Sequence, residues 1–177
     1  MDPSTCQGWQ SSRMQALPPG GDRSRSGVVV LWKGGIVHWY TKRQPLATLS
    51  APESELGATA PGIKFGIGIK QLTDQLVPEE SQLEGFDMMG DNTATVITIT
   101  KEITSWRTRH YANYAGWSRD QVTHYPIRVS HLPGAELPAD GLTKVLQGTA
   151  LIKTRIQLTL RNGKDNELDL QRYSRNW

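Results

Sequence analysis

Three carboxylates draw attention because the elements around them would bring them together. Glu55 falls in the first turn of a helix that Ser50 opens, Asp91 follows a short apolar run, and Asp140 begins a second, shorter helix. Clustered acidic groups repel one another unless a cation neutralises them. An all-oxygen ligand set suits Mg²⁺, which keeps several waters and needs few protein carboxylates. Two such ions about 4 Å apart activate a water and stabilise the leaving oxygen in phosphodiester cleavage. A domain of this size also carries scattered, solvated Asp and Glu, so the three residues alone suggest a site without establishing one.

A second group is basic. Arg107, Arg109, His110 and Arg119 lie in and around one predicted helix. Phosphate contacts from such residues supply most non-specific nucleic-acid affinity. The competing reading is an ordinary solvated helix face. Trp39, Trp106 and Trp117 read as packing residues rather than stacking platforms.

The chain that must position these groups has 177 residues, 37% of them apolar. That is below the ~45–50% of typical globular domains. Its net charge is +3, from 20 basic and 17 acidic residues. Such an excess is too small to demand a nucleic-acid partner. Between Pro52 and Asp91 the balance reverses, with eight acidic residues against two basic. Cys6 is the only cysteine, which excludes a disulfide framework and a cysteine-rich zinc site. No apolar run approaches the ~18 residues of a membrane helix. The N-terminus shows no hydrophobic signal core, so an intracellular setting, cytoplasmic or nuclear, is expected.

Residues 1–21 are polar and aperiodic and read as an irregular segment, with at best a poor strand near Arg13–Leu17. Gly27–Trp32 is a β-branched run, and Ile36 begins another beyond Lys33-Gly34-Gly35, so the two read as a hairpin. Ser50 and Glu53 match a capping box, with Pro52 in the first turn, and predict a helix starting near residue 51. Its body is ambiguous. Gly57, Pro61, Gly62, Gly66 and Gly68 disfavour helix. Ile63, Phe65, Ile67 and Ile69 alternate like a strand, while Leu56, Ala60, Ile63, Ile67, Leu72 and Leu76 fit one helical face. Phe86–Gly90 reads as a strand, 93–100 as helix or strand, 107–122 as helix, Tyr125–His131 as strand and Pro138–Leu146 as a short helix. The tail, 147–177, is left open between strand, helix and disorder. The order is that of an α/β fold, or an α+β fold with a mixed sheet.

Six segments, in order, carry a family resemblance. They are Asp22-Arg23-Ser24-Arg25-Ser26-Gly27, Trp39-Tyr40-Thr41-Lys42-Arg43-Gln44, Leu49-Ser50-Ala51-Pro52-Glu53-Ser54-Glu55-Leu56, Gly90-Asp91-Asn92-Thr93-Ala94, Arg107-Thr108-Arg109-His110 and Ala139-Asp140-Gly141-Leu142-Thr143-Lys144. Through them, residues 22–146 resemble the ribonuclease H domain that ends the Pol polyprotein of copia-type LTR retrotransposons.

The resemblance implies a ribonuclease H fold, a five-stranded mixed sheet with helices on both faces, and so a helix over 51–76. The glycine content of that helix then reads as strain or sequence decay. It implies a nuclease that cleaves the RNA strand of an RNA–DNA hybrid with two Mg²⁺ (or Mn²⁺) ions, next to a covalently linked reverse transcriptase. Glu55, Asp91 and Asp140 match its metal-holding, catalytic carboxylates, while Glu53 keeps its capping role. His131 stands where related enzymes carry a histidine for product release or proton transfer. Arg107, Arg109, His110 and Arg119 become hybrid contacts. Lys144 is expected to cap the last helix.

One ligand is missing. The family's first carboxylate sits on the first strand, ahead of the segment matched by Asp22–Gly27. Counting back from Arg23 reaches Met14–Pro19, which holds no aspartate. Asp2 lies too far upstream, and Asp22 belongs to the following loop. The first strand is therefore expected to be poor or missing, and metal binding and rate to be impaired. Three readings follow: a hybrid nuclease, a dead nucleic-acid-binding module, and a transposon relic without function.

Overall fold

The computed structural model describes residues 7–10 (backbone), 23–45, 47–48, 50–78, 85–101 and 111–158. Five strands, β1 (Gln7–Gln10), β2 (Arg25–Trp32), β3 (Gly35–Arg43), β4 (Phe86–Gly90) and β5 (Ile127–His131), form one sheet in the order β3-β2-β1-β4-β5. The pairs β1/β2 and β2/β3 are antiparallel, and β1/β4 and β4/β5 are parallel, so the sheet is mixed. The hairpin between β2 and β3 turns at Lys33-Gly34, both with positive φ.

The sheet is covered on both faces, which is why β2 is a nearly continuous apolar run. Val28 and Val30 point to one core with Leu56, Ile63, Phe86, Met88, Ile99, Tyr111, Ala115 and Ile127. The helices α1 (Ala51–Leu76), α2 (Thr93–Thr100) and α3 (Ala112–His124) build that layer. Val29 and Leu31 point the other way, onto Leu137, Ala139 and Leu158. Two short 3-10 segments, Gly134–Glu136 and Pro138–Leu142, and α4 (Gly148–Gln157) supply that second cover.

The helix α1 starts as the capping box requires. Ser50 Oγ accepts from the Glu53 amide at 3.3 Å, and Ser50 itself is extended. The helix runs unbroken through Pro61 to Leu76. Gly66 is not a sign of decay. A Cβ at position 66 would lie 2.5 Å from Phe86 Cε2, so Gly66 is what lets α1 seat on β4. The last turns pass beyond the core, with Leu72 half exposed and Leu76 mostly so.

Four sequence expectations change. The segment 1–21 contains a strand, and it is the central one. Gln7–Gln10 has no apolar alternation to announce it; its pairing with both β2 and β4 defines it. The tail takes the helical alternative over α4, but Leu158 is buried against Val29 and Leu31, so the packed unit extends past the expected boundary at residue 146. The expected helix over Pro138–Leu146 is a 3-10 segment of five residues. Trp39 is 63% exposed rather than packed, because it lies on the outer strand of the sheet.

Candidate active site

Glu55 sits in the first turns of α1, and a glutamine holds those turns in place. Gln44, 7% exposed at the end of β3, donates from Nε2 to Ser26 Oγ at 2.9 Å and to the Ser54 carbonyl at 2.8 Å. Its backbone amide donates to the Ser24 carbonyl at 2.7 Å. One side chain thus clamps the edge hairpin to the start of α1. Thr59 Oγ1 closes the next turn on the Glu55 carbonyl at 3.0 Å. The Glu55 carboxyl is 4% exposed, and its Oε2 is buried without a hydrogen-bond partner. Burial first, then the charges of Asp91 and Asp140, push its pKa up to about 9. At neutral pH this carboxyl therefore carries a proton.

Asp91 follows β4 directly, where parallel strands of open sheets deliver functional groups. Asn92 then caps α2, its Oδ1 accepting from the Thr95 amide at 3.1 Å. The parallel register pairs Gly90 with His131. His131 Nε2 donates to the Asp91 carbonyl at 3.1 Å. Gly134 lies against the Asp91 carboxylate.

Asp140 is carried by the 3-10 segment Pro138–Leu142, which docks on the β2–β3 hairpin. A Cβ at position 27 would lie 3.0 Å from the Ala139 carbonyl and 2.9 Å from Thr143 Cγ2, so Gly27 permits the close approach. Thr41 Oγ1 donates to the Leu142 carbonyl at 3.1 Å. Lys144 does not cap a helix end. Its ammonium pairs with the Asp140 carboxylate, four residues back.

Asp91 and Asp140 thus lie near enough to Glu55 for their charges to act on its carboxyl. His131 joins them through the Asp91 backbone. Arg119 lies on α3, partly buried, with an Nε that has no hydrogen-bond partner. Arg107, Arg109 and His110, with Trp106, lie outside the described residues. Gln44 and Lys144 were missed as site residues. The signal for Lys144 was its i,i+4 spacing from Asp140; Gln44 ends the segment Trp39–Gln44.

The fit to two divalent ions fails on two counts. Among the described residues no three His, Cys, Asp or Glu side chains are arranged to hold a metal ion. The central strand β1 brings no replacement, because residues 3–21 contain no Asp or Glu.

No family model matches the chain. It is 26% identical over 124 residues to the retrovirus-related Pol polyprotein from transposon TNT 1-94 of Nicotiana tabacum. That match takes in 70% of this chain and 9% of the polyprotein, so the chain spans about a tenth of its relative's length. Among solved structures, RNase H1 from Halobacterium salinarum superposes with a TM-score of 0.53 at 12% identity, covering 73% of this chain and 86% of that one. The N-terminal RNase H domain of a Mycobacterium tuberculosis protein gives a TM-score of 0.55 at 12% identity, covering 78% and 91%. LC11-RNase H1, isolated from compost, gives 0.54 at 16% identity, covering 78% and 90%.

Proposed function

We propose that this chain, a domain of ribonuclease H fold related to retrotransposon Pol, descends from a two-metal nuclease of RNA–DNA hybrids and has lost most of that activity. One observation carries the reading. The charges of Asp91 and Asp140 both reach the buried Glu55, while the strand at the centre of the sheet brings no carboxylate near them.

In the ancestral enzyme, by the resemblance, Glu55, Asp91 and Asp140 would hold Mg²⁺ (or Mn²⁺), which activates water toward the phosphodiester. His131, hydrogen-bonded to the Asp91 backbone and exposed, is placed to steady that strand end. Arg107, Arg109, His110 and Arg119 are the proposed contacts to the hybrid's phosphates, and a linked reverse transcriptase the proposed ancestral partner. Among the described residues no helix is long and apolar enough to cross a membrane.

The test is cleavage of an end-labelled RNA–DNA hybrid by purified protein with Mg²⁺ or Mn²⁺, beside Asp91→Asn. The expected result is cleavage no faster than the variant's. Vigorous metal-dependent cleavage by the wild type, lost in Asp91→Asn, would overturn the loss of activity.

A further inference from the structure

We propose that the groove between α1 and α3 binds a single nucleotide, its base against Tyr114 and Trp117 and its phosphate on Lys64. The groove is separate from the carboxylates. Lys64 follows Glu55 by nine residues, about two and a half helical turns, and so lies on the opposite side of α1.

Ala60 and Lys64 line the groove from α1, and Asn113, Tyr114 and Trp117 line it from α3. Spacings of three and four residues put each set on one helix face. The open space, about 230 Å³, is smaller than the ~300–1,000 Å³ of sites for drug-sized ligands, and suits one ring system. Gly68 continues the row of Ala60 and Lys64, and a Cβ there would meet no atom within 4 Å, so the row stays open beyond the lysine.

The lining selects by charge first. Lys64 is exposed and has no carboxylate partner among the described residues, and no described acidic residue lines the groove. Anions are therefore favoured and cations repelled. It selects next by shape. Trp117 packs against the core, which fixes its ring, and Tyr114 is 53% exposed, so both rings are presented to a flat ligand. Aromatic faces of this kind stack with any base. The Lys64 ammonium rests 5.2 Å from the Trp117 ring centre. At an exposed site that contact is weak, so the ammonium can turn to a phosphate and admit a base to the ring. The exposed Asn113 carboxamide offers a donor and an acceptor, the pair that base edges present. A simple carboxylate would use the lysine and not the rings, and a neutral aromatic the rings and not the lysine. A nucleotide uses both. Its chemistry is the same in a free nucleoside monophosphate and in an unpaired nucleotide of a strand.

Calorimetric titration in EDTA tests this, with AMP, adenosine, ribose 5-phosphate and a short single-stranded oligoadenylate as probes. Wild type should bind AMP at least about tenfold more tightly than adenosine or ribose 5-phosphate. Lys64→Gln should weaken AMP about tenfold and leave adenosine unchanged. Tyr114→Ala should weaken AMP and adenosine alike. Both side chains are exposed, so both variants should melt close to wild type; should Tyr114→Ala fail to fold, Lys64→Gln decides alone. Oligoadenylate bound far more tightly than AMP assigns the groove to a strand, and equal affinities assign it to the free nucleotide. Absence of AMP and oligoadenylate binding at millimolar concentration would overturn the proposal, as would binding that survives both substitutions. So would a polyglutamate peptide of equal charge that binds as tightly as the oligoadenylate, since charge alone would then be read. Because EDTA silences metal-dependent chemistry, hybrid cleavage by the wild type would refute the loss of activity and leave this result standing.

Discussion

Replacing Glu55 by Gln should stabilise the protein, and increasingly so as the pH rises. The folded carboxyl holds its proton up to a pH of about 9, against an ordinary value of 4.5. Between those values the folded state binds a proton that the unfolded chain releases. Stability from this group is therefore full below pH 4.5 and is lost as the pH rises toward 9. The slope is up to about 1.4 kcal/mol per pH unit, so pH 5 to pH 8 removes about 4 kcal/mol. That is a large part of the ~5–15 kcal/mol that holds a domain together. Glutamine has nearly the same shape and no charge, so it keeps the packing and abolishes the slope. Urea unfolding followed by tryptophan fluorescence, on a chain with six tryptophans, would measure both proteins from pH 5 to 9. Near pH 5 the two should be close in stability, and at pH 8 the variant should lead by several kcal/mol. Parallel pH profiles for the two proteins, or a variant less stable at pH 8, would refute the reasoning.

Three further outcomes follow from packing. Gly66→Ala gains about 1 kcal/mol of helix propensity but drives a methyl into Phe86, at a cost of about 1–3 kcal/mol. It should lower the melting temperature, and Phe86→Leu in the same chain should restore part of the loss. Gln44→Ala removes two buried hydrogen bonds and leaves Ser26 and Ser54 without that partner; chemical denaturation should register a loss of about 1–3 kcal/mol. Arg128→Ala breaks an ion pair with Asp87 whose arginine is 61% exposed, so its melting temperature should stay close to wild type.

Much of this arrangement could be read before the structure, for identifiable reasons. Ser50, Pro52 and Glu53 announced the start of α1 because capping is local chemistry. Val28 to Trp32 announced a doubly buried strand because β-branched residues are informative there. Asp91 was legible because it ends an apolar run. What escaped depended on distant partners. Gln7–Gln10 has no periodicity, and its place at the sheet centre comes from β2 and β4 on either side. Gly66 looked like conflict until Phe86 occupied the space it leaves. Leu158 looked like tail because its contacts, Val29 and Leu31, lie far away in the chain. Lys144 looked like a helix cap because its spacing reveals reach and not the partner.

The central claim is that the acidic cluster is assembled but no longer forms a two-ion centre. Crystals of the wild-type protein soaked in Mn²⁺, with anomalous scattering recorded at the manganese edge, address it directly. The account predicts no pair of Mn²⁺ ions among Glu55, Asp91 and Asp140, with Lys144 still on Asp140. Two peaks about 4 Å apart, bounded by those three carboxylates, would contradict it.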